Sequence, residues 1–115
     1  MTKIRDKVTA LNIFVESATR HAEATKQGDY IAGNKNYESL IKAVTYLKEQ
    51  NIIVELLDYL EHENIGIRLA AATFLLKTHE KEGIKVLEEV ANSSDFFSFI
   101  AETTLNEWKN GNLKI

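Results

Sequence analysis

Residues 56–71 read Leu56-Leu57-Asp58-Tyr59-Leu60-Glu61-His62-Glu63-Asn64-Ile65-Gly66-Ile67-Arg68-Leu69-Ala70-Ala71. Leucines at 56, 57 and 60 enclose acidic positions, a spacing that belongs to an amphipathic helix rather than a strand. The polar run from Glu61 to Glu63 then interrupts the apolar pattern, and Asn64 is a good N-cap for the next helix. That helix, about 14 residues long, is apolar on two sides. Ile67, Ala70, Ala71 and Phe74 form one face, and Ile65, Leu69, Ala72 and Leu76 form the other. A helix apolar nearly all round belongs in the interior, so it is placed at the centre of the fold.

Working outward, Asn51 reads as the N-cap of a short helix that points Ile52, Ile53, Leu56, Leu57 and Leu60 inward and Glu55, Asp58 and Glu61 outward. A fifth helix over about 80–91 buries Ile84, Leu87, Val90 and Ala91. Asn92-Ser93-Ser94-Asp95 caps a sixth, with Phe97, Ile100, Ala101, Leu105 and Trp108 inside and Gly111 at its end. Toward the N-terminus, Ile4, Val8, Leu11, Val15, Ala18 and Ala22 draw one stripe, widened by Phe14, and Gly28 stops that helix. Asp29 caps the second helix, whose inner face is Ile31, Asn34, Tyr37, Ile41, Val44 and Leu47, with Leu40 beside it. No segment alternates with period two, and no proline breaks a helix. The expected core is Leu11, Val15, Ile41, Val44, Leu57, Leu60, Ile67, Ala71, Phe74, Leu75, Leu87, Ile100, Ala101 and Leu105.

A shift of 30 residues lays Leu57 on Leu87, Leu60 on Val90, Asn64 on Ser94, Ile67 on Phe97, Ala71 on Ala101 and Leu75 on Leu105. The first two helices make a looser third copy. Each unit is a helix pair that cannot bury its apolar face alone, and stacking supplies the core. The stretch from Leu56 to Ala71 resembles a HEAT repeat: a leucine-rich helix, a short polar turn, then Ile67, Arg68 and small residues such as Ala71. The second copy departs from that pattern, with Ser98 where the arginine would stand. The whole chain is similar to a family of small bacterial HEAT-like domains of unknown function, on Asn34-Lys35-Asn36-Tyr37, Ile67-Arg68-Leu69-Ala70-Ala71 and Leu105-Asn106-Glu107-Trp108. The resemblance implies an all-α fold: six helices in three antiparallel pairs, forming a short right-handed HEAT/armadillo-like αα-superhelix in a single domain. It also implies a protein-binding scaffold, by analogy of fold.

The composition narrows the chemistry. The 115 residues include no cysteine, which excludes disulfides, zinc–thiolate sites and thiol catalysis. The net charge is −3, split unevenly: residues 1–50 carry eight Lys/Arg against six Asp/Glu, and residues 51–115 carry six against eleven. An acidic surface repels phosphates, so nucleic acid is not an expected partner and a basic protein is. Apolar runs reach only four residues, so no membrane span is expected, and Met1 to Asp6 lacks the apolar core of a signal peptide. The chain reads as cytoplasmic. No oligomeric state follows from the sequence.

Catalytic and metal constellations are weak. His21, His62 and His79 share no ligand spacing and read as exposed or capping residues. Ser93, Ser94 and Asp95 match a helix start as well as they match a nucleophile with its base. Glu88 and Glu89 are consecutive, so they do not face each other. No cofactor is implied.

Two polar residues stand out. Asn34, on the expected inner face, would need a hydrogen-bond partner or would line an interhelical groove. Arg68 would bridge to Asp58, Glu61 or Glu63, or hold a partner's carboxylate. Phe96 and Phe99 fall off the main face of the last helix, either covered by the incoming chain or exposed as an anchor.

The sequence therefore supports a non-catalytic protein-binding module. An acidic immunity- or antitoxin-like neutraliser of a basic protein is one instance of that class. The expected partner surface is Glu55, Asp58, Glu61, Glu88 and Glu89 with Phe96 and Phe99, and the polar groove residues are Asn34 and Arg68. The alternative is a small-ligand or nucleic-acid-processing enzyme on a HEAT-like scaffold, which would require a basic groove and a placed carboxylate.

Overall fold

The computed structural model describes residues 3–115. They form five α-helices and one 3-10 helix: α1 (Lys7–Gln27), α2 (Tyr30–Glu49), the 3-10 helix (Ile53–Tyr59), α3 (Ile65–Leu75), α4 (Glu80–Ala91) and α5 (Ser98–Lys109). No strand occurs among the described residues. The chain divides into two units, Met1–Glu55 and Leu56–Ile115. The principal helix pairings are α1 with α2 in the first, and α3 with α4 and α4 with α5 in the second.

In the first unit, the Asp6 carboxylate accepts the Thr9 amide at 2.7 Å and starts α1. The same bond holds the Asp6 carboxyl below its ordinary pKa. Gly28, at φ 71°, ends α1: its amide bonds to the Thr25 carbonyl and the Asp29 amide to the Ala24 carbonyl, which is a Schellman ending. Asp29 also caps α2, its carboxylate accepting the Ala32 amide at 3.1 Å.

The buried line of α1 is Ala10, Phe14, Ser17, Ala18 and Ala24, rotated from the expected stripe. Val8 is exposed, and Leu11 and Val15 are half-buried. On α2 the buried residues are Gly33, Leu40, Ala43, Val44 and Leu47, so the expected face holds only in the later turns. Ile31, at 85% exposed, and Tyr37 lie outside, and Ile41 is half-buried. Small residues explain both rotations. A Cβ on Gly33 would lie 3.8 Å from the Ala24 Cβ, so the helices approach through Gly and Ala and leave bulkier side chains at the flanks.

Asn51 is not an N-cap. It adopts φ 59° and ends α2 as Gly28 ends α1, with its amide on the Lys48 carbonyl and the Ile52 amide on the Leu47 carbonyl. Asparagine tolerates this left-handed conformation. The segment that follows is a 3-10 helix, with the Glu55 amide on the Ile52 carbonyl at 3.0 Å. Its entry carries three β-branched residues, Ile52, Ile53 and Val54, which weaken the α-helical choice. Leu56 and Leu60 are buried and Leu57 is half-buried.

In the second unit Asn64 caps α3 as expected, accepting the Ile67 amide at 3.1 Å. Ile67, Ala71, Ala72, Phe74, Leu75 and Leu76 are all buried, but Ile65, Leu69 and Ala70, expected inside, are half-buried, and the helix is 11 residues long rather than about 14. Its principal partner is α4 alone, so the flanked, central position expected for α3 belongs in this unit to α4, which pairs with both α3 and α5. α3 packs on α4, which buries Val86, Leu87 and Val90, and the two come close at Gly83, where a Cβ would sit 2.7 Å from the Ala72 carbonyl oxygen. α5 buries Ala101 and Leu105 and ends at Gly111, φ 74°. Ile100, expected in the core, is 38% exposed. The buried series here is Phe97, Ala101, Leu105, and Ile100 falls outside it.

Candidate functional site

The residues before α5 build the most exposed aromatic surface of the second unit. The Ser93 hydroxyl donates to the Val90 carbonyl and accepts the Asp95 amide. The Asp95 carboxylate accepts the Phe97 amide at 2.8 Å. This chain of short bonds fixes the turn, and Phe97 enters the core from it. Phe96 packs edge-on against Phe97, ring centroids 5.1 Å apart, yet remains 54% exposed. Phe99 is 73% exposed. Of the two expectations for this pair, the structure takes the exposed one. Ile100 extends the patch, with Asp95 and Glu102 exposed beside it in sequence. A signal for Ile100 lay in the helical spacing, because Ile100 falls beside Phe99 and off the centre of the Phe97, Ala101 and Leu105 series.

The acidic residues separate into different situations. Asp58, Glu61 and Glu63 are exposed at and after the end of the 3-10 helix, and Glu88 and Glu89 are exposed on α4, opposite its buried residues. Glu80 accepts the indole N–H of Trp108 at 2.7 Å, tying α4 to α5. Glu55 is half-buried and pairs with Lys7 at 3.5 Å, so its charge is partly neutralised within the first unit.

Asn34 is exposed and does not line the groove between α1 and α2, a consequence of the rotated face of α2. Asn36 is half-buried instead, its amide donating to the Ala32 carbonyl at 2.8 Å. Arg68 reaches no carboxylate. Its Nε donates to the Leu60 carbonyl at 3.3 Å and closes the turn between the 3-10 helix and α3. The carbonyl is nearer because the helix before the turn ends at Tyr59 and exposes its terminal acceptors.

The histidines are half-buried and structural. The His21 Nδ1–H donates to the Gly33 carbonyl at 3.0 Å, and its ring lies 5.3 Å from that of Tyr37. The His62 Nδ1 accepts the Asn64 amide at 2.9 Å. His79 precedes α4 without capping it through its side chain. No group of three metal-ligating side chains occurs among the described residues, and no helix among them is long and apolar enough to cross a membrane.

The sequence reading missed an open groove of about 900 Å³ within the first unit, between α1 and α2. Ile13 and Ile41 give it apolar walls, and the buried Ser17 lies at its base. Charged side chains of both signs line its rim. Comparisons of the chain with protein families, with curated proteins and with solved structures found no match.

Proposed function

We propose that this chain is a non-catalytic protein-binding module of HEAT-like type, whose acidic second unit receives a basic partner. The reading rests on the exposure of Phe96 and Phe99 beside acidic residues. Exposed aromatics carry most of the energy in protein interfaces when a partner covers them. Asp58, Glu61, Glu88 and Glu89 supply a negative field that raises the association rate of a basic protein and is screened by salt. An immunity- or antitoxin-like neutraliser has this combination of steering charge and apolar anchor. In the same reading, the helices stack as antiparallel pairs in a short right-handed superhelix, with Arg68 joining elements across a turn. The pairings of α1 with α2 and of α4 with α5 match two of the three expected pairs; the middle pair, the 3-10 helix with α3, is not among the principal pairings, and α3 packs on α4 instead.

The test is capture of the partner by the full chain, followed by binding kinetics. Reversing Asp58, Glu61, Glu88 and Glu89 to lysine should slow association about tenfold or more at low salt and flatten its salt dependence. Phe99→Ala should leave association unchanged and speed dissociation. Parent-like binding by both variants would refute this assignment.

A further inference from the structure

Phe99 and Glu102 stand three positions apart on α5, and both are exposed. Positions three apart are neighbours on a helix surface, so a carboxylate borders the ring. Glu102 takes part in no hydrogen bond or ion pair among the described residues. Asp95, at the turn before α5, already accepts the Phe97 amide at 2.8 Å. The basic residue of α5 is Lys109, about 10 Å further along the axis than Glu102. An exposed aromatic face and an unpaired carboxylate therefore lie side by side on one helix. Steering by Asp58, Glu61, Glu88 and Glu89 does not say what sits on them.

We infer that Phe99 and Glu102 together hold an arginine side chain of the partner protein, its guanidinium stacked on the ring and hydrogen-bonded to the carboxylate; the inference rests on the protein-binding reading above. An aliphatic anchor on Phe99 would strip water from Glu102 and leave its charge without a partner, which is costly. A lysine ammonium would satisfy the carboxylate, but it is strongly hydrated and has no plane to lay on the ring. An arginine does both. Its planar, weakly hydrated guanidinium stacks on an aromatic face, and its fork of N–H donors matches a carboxylate. Its methylene stem also covers apolar surface, which Ile100, next to Phe99 and exposed, supplies. The charge of the surroundings has the right sign, since residues 51–115 carry six Lys/Arg against eleven Asp/Glu.

Short blocked peptides, identical except for one central arginine, lysine or citrulline, test it against the full chain. Titration followed by NMR at the Phe99 ring and the Glu102 amide reads weak affinities site by site. The arginine peptide should bind about fivefold tighter than the citrulline isostere, which keeps the plane and loses the charge. It should bind about threefold tighter than the lysine peptide, which keeps the charge and loses the plane. Glu102→Gln should weaken the arginine peptide about threefold and leave the citrulline peptide unchanged. Phe99→Leu, which keeps an apolar side chain without the aromatic face, should abolish the preference for arginine over lysine. Both positions are exposed, so the fold tolerates the changes, which circular dichroism verifies. No arginine-dependent shift at Phe99, equal affinity for the three peptides, or a preference that survives both substitutions would overturn the inference. With the captured partner, a loss of affinity on Phe99→Ala but not on Glu102→Gln would leave the binding module standing and remove the arginine. Arginine selectivity at Phe99 would uphold the site even if reversing Asp58, Glu61, Glu88 and Glu89 changed nothing.

Discussion

The two units solve the same packing problem with different side chains. In the first unit the buried residues of α1 and α2 are mostly small, Ala10, Ser17, Ala18, Ala24, Gly33 and Ala43, with Phe14, Leu40, Val44 and Leu47 among them. In Leu56–Ile115, α3 buries Ile67, Phe74 and Leu75, Leu76 follows at its C-cap, and α4 buries Val86, Leu87 and Val90. Large side chains announce the buried face of a helix; small ones permit a close approach without announcing it. That contrast accounts for where sequence patterning succeeded. It found the buried face of α3, Ile67, Ala71 and Phe74, although the second expected face is half-buried at Ile65 and Leu69. It misplaced the first turns of α2, because the large side chains of Ile31 and Tyr37 drew the expected face toward themselves although Gly33 makes the close approach.

The largest expected effects lie in α3. Phe74→Ala should cost about 3–5 kcal/mol and Leu75→Ala about 2–5 kcal/mol, measured by urea unfolding, because each leaves a cavity in a packed interior. Losses below about 1 kcal/mol would remove α3 from the core of the second unit and break the contrast.

A paired glycine experiment sharpens it. Gly83→Ala puts a methyl group 2.7 Å from the Ala72 carbonyl oxygen and 3.0 Å from Leu76 Cδ2, so α4 must shift away from α3. A loss of about 1–3 kcal/mol is expected from overpacking, despite the better helix propensity of alanine. The same substitution at Gly33 meets only Ala24 Cβ at an ordinary 3.8 Å, and should stabilise the first unit by about 0.5–1 kcal/mol. Equal signs at the two glycines would show that the units pack alike.

Phe99→Ala should change stability by no more than about 0.5 kcal/mol, since the ring is largely in solvent. A greater loss would make Phe99 a structural residue and remove it from the partner surface. The smallest effect is at Asp6. Its carboxyl is held below its ordinary pKa by the Thr9 amide, so the ionised form stabilises the folded state. That contribution is complete above the usual carboxylate range and disappears as pH falls through the lowered value. Asp6→Asn keeps an N-cap and should abolish the acid-side pH dependence of amide protection (exchange relative to the unstructured chain) in the first turn of α1, with little change near neutrality. An unaltered exchange profile would assign the titration to another group.

Much of the fold was legible, for identifiable reasons. Gly28, Asp29, Asn64 and Gly111 work as their chemistry suggests, and the absence of period-two patterning is matched by the absence of strand among the described residues. Asn51 misled because asparagine suits both a helix start and a left-handed helix end, and only the bonds to Lys48 and Leu47 distinguish the two. The candidate surface was legible as residue types at their spacing. Which aromatics stayed outside was not, because that depended on α5 beginning at Ser98, after Phe97 had already turned inward. The groove was hidden for the same reason as the α2 face: its geometry follows from how closely two small-residue faces approach.

The junction at Gly28 and Asp29 has a practical consequence for where the chain can be opened. Asp29 closes α1 through its amide and starts α2 through its carboxylate, so one residue belongs to the bonding of both helices. An inserted tag there would undo both ends at once, and cutting the peptide bond would free two helices that share a terminus. Ser94 stands in an exposed turn whose bonds run through its neighbours, Ser93 and Asp95. New termini or a reporter sequence at Ser94 would break the Asp95 amide's bond to Ser93 but neither helix end, and would be better tolerated than at the joint between α1 and α2.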